Sequence, residues 1–366
     1  MGLNCGIVGL PNVGKSTIFN AMTDASVPAE NYPFCTKDQN TGMAFLPDSR
    51  LQRIAEIFKP ERVIPTQVEF VDIAGLVEGA HKGEGLGNKF LGHIRNVDAI
   101  IHVVRCFDAP NVVHSYSSVD PLRDIEVVET ELKLADLETV SRRHEKIAHA
   151  AKTGSAEAKK ELPALEAVKA TLEEGEAASS ANLSNEDRQM ISGLNLITTK
   201  PVIYLLNVNE SDVKNPSQIV QRVLDHCASR RIPAVEVCGS IEGELSDLDE
   251  DARKEFLADL GLAEGGLGRL VHAAYALLDL ITFFTKDGPE VRAWTVVRGT
   301  KAPQAAGKIH SDFEKGFIRA EVYGFDELNA AGSEQKLKES GLVRIEGRDY
   351  VVKDGDVIHF RFNISS

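Results

Sequence analysis

The stretch Gly9-Leu10-Pro11-Asn12-Val13-Gly14-Lys15-Ser16 constrains this chain more than any other. It has the form GxxxxGKS. A short apolar run, Leu3 to Gly9, leads into it, and Lys15 to Ala25 can start a helix directly behind it. A strand passing through a glycine loop into a helix turns successive N–H groups inward, and the helix adds the positive end of its dipole. Such a cradle fits phosphate oxygens. Lys15 is the cation expected across the β- and γ-phosphates, and Ser16 is the hydroxyl expected on Mg²⁺. Asn12, Val13, Gly14 and Thr17 complete the expected contact.

Four further apolar runs follow: Gln67 to Asp72, Ala99 to Phe107, Pro201 to Leu206 and Arg231 to Val237. Helical patterns lie between several of them. This alternation predicts an α/β fold with a mostly parallel sheet covered on both faces, its ligand at the carboxyl ends of the strands. Val71-Asp72-Ile73-Ala74-Gly75 closes the first of these runs. Asp72 can hold Mg²⁺ through water, and the Gly75 N–H can meet the γ-phosphate. The glycine-rich run LVEGAHKGEGLGNKF comes next and predicts a loop able to rearrange around the third phosphate. Thr36, in Asn31-Tyr32-Pro33-Phe34-Cys35-Thr36, is the hydroxyl expected to close on Mg²⁺ and the γ-phosphate. Leu76 stands where small GTPases often carry a water-orienting Gln. His81 is the nearest side chain able to take that role, and it reads equally well as a solvent-facing loop histidine.

The base-side loop is Asn207-Val208-Asn209-Glu210. A guanine-reading loop normally ends in NKxD. Here Asn207 is kept, Val208 replaces the Lys, and Glu210 replaces the Asp, one methylene longer. That departure weakens a guanine clamp. Cys238-Gly239-Ser240 is the second loop expected under the base.

From Val128 to Leu196 the chain is rich in Glu, Lys, Ala and Leu, with apolar stripes that predict a helical hairpin turning at Thr153-Gly154-Ser155. Lys133, Arg142, Arg143, Lys146, Lys152, Lys159 and Lys160 could form a stripe facing RNA phosphate, or a solvated face of mixed charge. From Phe283 to Ser366 acidic and basic side chains balance, whereas the whole chain carries −14. The runs Val291–Val297, Phe317–Val322, Leu342–Glu346, Tyr350–Val352 and Val357–Phe362, with a helix over Asn329–Ser340, predict a small α+β domain. A length of 366 residues suits two or three domains. Hydrophobic residues at 43% and charged residues at 26% exclude global disorder, and the net acidity excludes a broadly basic nucleic-acid coat. Five cysteines without a CxxC pair speak against a disulfide framework or structural zinc. No apolar stretch reaches the ~18 residues of a membrane span, and the start does not read as a signal peptide. A cytoplasmic monomer without membrane contact is expected.

Together GLPNVGKST, NYPFCT, DIAGLVEGAHKGEGLGNKFLGHIR, the NxxE ending at Glu210 and DYVVKDGDVIHFRFN resemble the Obg group of translation-factor-related P-loop GTPases. More specifically they resemble the YchF family, the Obg-like ATPases, over nearly the whole chain. The resemblance implies a nucleotide domain over residues 1–127 and 200–282, a coiled-coil insertion over 128–199, and a C-terminal TGS domain over 283–366 with a ubiquitin-like β-grasp fold. It implies nucleotide hydrolysis with ATP preferred over GTP, and association with ribosomes or ribosomal RNA through the hairpin and the TGS domain. Asn207 and the backbone near Val208 would read adenine. Asn12 would be compatible with K⁺ as a second cation beside Mg²⁺. Gln39 departs from the Pro often found there, which touches the course of the first switch but no phosphate ligand. A GTP-specific hydrolase of the Obg type, or a nucleotide-stabilised scaffold with incidental hydrolysis, are the alternative readings.

Overall fold

The computed structural model describes residues 4–24, 41–73, 86–109, 116, 118–246 and 248–363. Twelve strands occur among them: β1 (Asn4–Val8), β2 (Thr41–Phe45), β3 (Arg62–Ile64), β4 (Gln67–Asp72), β5 (Ala99–Arg105), β6 (Val202–Asn207), β7 (Ala234–Val237), β8 (Leu280–Asp287), β9 (Glu290–Val297), β10 (Phe317–Gly324), β11 (Arg344–Glu346) and β12 (Asp356–Phe362). The chain divides into two compact units, Met1–Gly42 with Glu69–Ala273, and Met43–Val68 with Ala274–Ser366.

In the first unit the strands run β4-β1-β5-β6-β7, each neighbouring pair parallel. The register sets Ile7 opposite Asp72, Val8 opposite His102, Arg105 opposite Asn207, and Asn207 opposite Val237. The carboxyl ends of five strands therefore come out along one edge. β5 is buried at every position, as a strand covered on both faces must be. Its Val104 joins Tyr204, Leu206, Val220 and Val223 in one apolar layer with Ile125 from the helix Pro121–Lys152. β7 starts later than expected because Arg231 caps the preceding helix in the left-handed conformation and Pro233 follows.

The helical hairpin consists of Pro121–Lys152 and Ala156–Glu173. Gly154, at φ 103, turns the chain, and Ser155 caps the second helix by accepting from Ala158 N–H. Val140, Ile147, Leu165, Val168 and Leu172 form the seam. The expected boundary at 127/128 falls inside the first helix, whose opening turns pack on the sheet through Ile125. The returning segment is held at its base by Asp136, whose buried carboxylate accepts from Ile197 N–H at 2.9 Å and Thr198 N–H at 2.7 Å. That segment carries one short helix, Asn185–Ile191, followed by tight 3₁₀ turns.

The second unit has a six-stranded sheet in the order β11-β10-β12-β8-β9-β3. β8 and β9 form an antiparallel hairpin, β12 lies parallel to β8, and β10 is antiparallel to β12. With the helix Ala302–Ile309 packed through Ala302, Ala305 and Ala306 onto Phe283, Val322 and Phe360, this is a β-grasp. Two features correct the expectation. β3 and the helix Ser49–Phe58, assigned by position to the nucleotide domain, belong here: β3 extends β9, and Leu51 and Ile54 pack on Phe284 and Val291. The expected helix Asn329–Ser340 is two helices, Phe325–Ala331 and Glu334–Glu339. Gly332, at φ 70, ends the first, and the Ser333 side chain accepts from Lys336 N–H to start the second. Tyr350–Val352 forms no strand; Val351 makes one bridge to Lys301. Among the described residues no helix is long and apolar enough to cross a membrane.

Candidate nucleotide site

The phosphate loop connects β1 to the helix Lys15–Asp24. Leu10 and Val13 are buried and pin it to the sheet, while Asn12 takes the left-handed conformation at φ 61. Gly9 and Gly14 are required by close approach. A Cβ on Gly9 would lie 2.6 Å from the Val103 carbonyl oxygen, and one on Gly14 would lie 2.2 Å from Asn207 Nδ2. Ser16 and Thr17 are exposed at the first turn of the helix.

Lys15 is buried, and its ammonium donates to the carbonyls of Gly9 at 3.1 Å and Leu10 at 2.6 Å. Burial pulls its pKa down to about 8, against the opposing pull of the Asp72 carboxylate. Burial raises Asp72 in turn, and Lys15 opposes that shift. The two expected phosphate and metal groups thus sense each other electrostatically. Ser16 and Asp72 supply hard oxygen donors, which suit Mg²⁺. Among the described residues no group of three or more His, Cys, Asp or Glu could cage an ion. The donor set fits a metal held by few protein ligands and completed by phosphate and water.

On the base side, Asn207 ends β6 with both ends of its amide engaged. Nδ2 donates to the Val13 carbonyl at 3.0 Å, and Oδ1 accepts from Gly239 N–H at 3.3 Å. The side chain named for base reading braces the phosphate loop against the second loop. Val208, whose backbone was the expected contact, keeps its side chain out of the site. It is 2% exposed, its side chain belongs to the core with Leu206 and Cys238, and its N–H donates to the Val237 carbonyl at 2.9 Å. Glu210 is exposed at the start of a 3₁₀ turn, Glu210–Asp212. The carboxylate that organises this loop is Asp212, which accepts from Ser217 N–H at 2.8 Å and Asn209 Nδ2 at 3.1 Å. Burial pushes it up, but these hydrogen bonds outweigh burial and hold it below the usual carboxylate range. Cys238 is buried with Sγ 3.1 Å from Ser240 Oγ and shapes the turn.

Between these parts lies a cleft of about 270 Å³. Gly14 and Thr17 border it on the phosphate side; Phe107, the loop from Asn207 to Glu210, Gly239 and Ser240 border it on the base side. Phe107 was hidden by its place at the end of the apolar run Ala99–Phe107. Arg105 was hidden with it, although a charged residue inside that run is the signal that could have found it. His102 lies in the core against Tyr204, ring centroids 5.3 Å apart, and burial holds it down at about 4, hence neutral. Thr36, Gly75, Leu76 and His81 lie outside the described residues.

A glycine loop between strand and helix, an aspartate at the end of the neighbouring strand and a cleft closed by the next two strand ends define a P-loop nucleotide-binding protein of GTPase type. The family model described as "50S ribosome-binding GTPase" matches residues 4–135. The model of the C-terminal part of YchF GTPases, described as a protein of unknown function, matches residues 280–363. "Ribosome-binding ATPase YchF" of Haemophilus influenzae is 52% identical, with 100% of both chains covered. The protein of that name from Bacillus subtilis is 49% identical at the same coverage. "Obg-like ATPase 1" of rice is 43% identical, covering 99% of this chain and 93% of its own. The solved structure of the Schizosaccharomyces pombe YchF GTPase superposes with a TM-score of 0.89 at 35% identity, over 98% of both chains. The chain belongs to the YchF family.

Proposed function

We propose that this YchF-family ATPase prefers ATP to GTP and uses its nucleotide state to govern association with the ribosome in the cytoplasm. The base-side loop carries the reading of preference. A guanine clamp needs a carboxylate at the edge of the base, accepting from the ring N–H and the exocyclic amine, and a long stem across the ring face. Here Val208 is part of the core and Glu210 stands exposed at the loop surface. The Asn207 amide keeps one oxygen lone pair and one N–H beyond its two bonds, so it and the loop backbone carbonyls are the acceptors for an adenine amine.

In this reading Lys15 exchanges the Gly9 and Leu10 carbonyls for β- and γ-phosphate oxygens. Ser16 and Asp72 hold Mg²⁺, directly and through water, with Thr36 and Gly75 as the partners on the γ-phosphate side. Bound Mg²⁺ supplies charge neutralisation at the phosphates. Asn12 is the residue through which K⁺ would add a further charge. Leu76 cannot orient water, so His81 is the group assigned to that role. The partner surface of the hairpin is narrower than its composition suggests. Arg142, Arg143, Lys146, Lys152, Lys159 and Lys160 are all exposed, but Arg142 and Arg143 are engaged with Glu138 at 2.6 Å and Glu161 at 2.7 Å. Those lysines are the better candidates for ribosomal RNA phosphate.

Competitive titration of ATP against GTP in Mg²⁺ tests the preference. Tighter GTP binding overturns it. Cosedimentation with ribosomes in the ATP, ADP and nucleotide-free states tests the switch, and equal recovery in all three overturns that part.

A further inference from the structure

Arg105 is the last residue of β5 and is 1% exposed, the largest fully buried side chain among the described residues. Its guanidinium reaches three backbone carbonyls: Phe107 from Nε at 3.3 Å, Ala109 from Nη2 at 3.4 Å and Asn12 from Nη1 at 3.4 Å. It also lies over the Phe107 ring, 4.5 Å from the centroid. Asn12 belongs to the phosphate loop, and Phe107 forms a wall of the cleft on the base side. One side chain therefore connects the loop that meets phosphate to the ring that meets the base. A planar fork of five donors can serve carbonyls that diverge in direction while its face rests on an aromatic ring; an ammonium cannot do both. Packing alone would be met by an apolar residue, as at every other position of β5 except His102.

We infer that Arg105 is a positioning residue for the nucleotide, holding the Asn12 turn and the Phe107 wall at a fixed separation so that phosphates and base are received together. The inference rests on the nucleotide reading above. It predicts a binding effect rather than a chemical one, because the clamp acts alike on bound substrate and transition state. Arg105→Lys keeps the charge and loses the fork. For this variant the KM for ATP rises on the order of tenfold, as the loss of one or two charge-assisted hydrogen bonds implies. Its kcat falls by much less than that factor. Inorganic tripolyphosphate, a probe without a base, also competes more weakly against the variant. A simple loss of folded protein would lower kcat at constant KM, and that result overturns the inference. Should Arg105→Lys fail to fold, Phe107→Ala serves, since its half-buried ring touches no phosphate. Weaker tripolyphosphate competition, about threefold, supports the clamp, and unchanged competition overturns it. Failure of the unmodified protein to bind Mg·ATP would instead overturn the nucleotide reading, and the same titration reveals it.

Discussion

Asn207→Ala separates a brace from a base reader. The amide makes two buried hydrogen bonds, at 3.0 Å to the Val13 carbonyl and at 3.3 Å from Gly239 N–H. At about 1 kcal/mol each, their loss costs about 2 kcal/mol of loop positioning, close to thirtyfold in nucleotide affinity. Because neither bond involves the base, Mg·ATP and Mg·GTP should weaken by the same factor, measured by calorimetry on the folded variant. Asn207→Asp sharpens the test. It keeps an acceptor for Gly239 N–H but sets an oxygen against the Val13 carbonyl oxygen. When ionised it repels that carbonyl; when protonated it donates to it. Affinity of the Asp variant should therefore recover as the pH falls towards the carboxyl range, while the Ala variant shows no such recovery relative to the unmodified protein. A loss confined to ATP would refute the brace and return Asn207 to the base. A change of less than twofold for both nucleotides would refute the structural argument altogether.

Lys15→Ala should abolish tight binding of both triphosphates, and calorimetry showing unchanged affinity would remove Lys15 from the phosphate site. With its pKa lowered to about 8, Lys15 loses its proton in the free protein as the pH rises through that value. Triphosphate affinity of the unmodified protein should fall there. Between about 8 and the ordinary 10.5 the unfolded chain binds more protons at this residue, so its contribution to stability rises with pH, the opposite trend. Val208→Lys puts an ammonium into the core and should lower the melting temperature sharply, whereas the exposed Glu210→Asp should leave it nearly unchanged. Glu210→Asp is therefore the cleaner test of a shift towards GTP. Asp136→Ala strands the buried N–H of Ile197 and that of Thr198. It should cost about 3 kcal/mol in urea unfolding, with Asp136→Asn costing less because one acceptor oxygen remains.

The phosphate loop was legible because its geometry is local: contiguous residues, glycines where backbone or side chains approach closely, and a helix directly behind. The base-side loop was legible only in outline. Which way a side chain points there depends on how β6 pairs with its neighbours. Val208 lines the cleft while its side chain lies in the core, and the organising carboxylate is Asp212, two residues beyond the one the motif offered. The excursion from Met43 to Val68 was illegible for a different reason. Its periodicity shows that Leu51 and Ile54 share an apolar face, but nothing local says that the face meets Phe284 and Val291, more than two hundred positions later. Amphipathicity predicts that a helix must be covered; it does not identify the cover.

The parallel register has a further consequence. It sets Arg105 opposite Asn207 on adjacent strands, and both side chains reach back to the phosphate loop, one to Asn12 and the other to Val13. Each also fixes an element on the base side, Phe107 in one case and Gly239 in the other. On the proposed nucleotide reading, base recognition and phosphate grip share two struts. A substitution among the base-side residues that moves either strut should change affinity for the phosphates even where the choice of base is unchanged. Nucleotide preference in this chain is then better measured as a ratio of dissociation constants than as either constant alone, since movement of a shared strut affects both constants, while direct base contacts chiefly change their ratio.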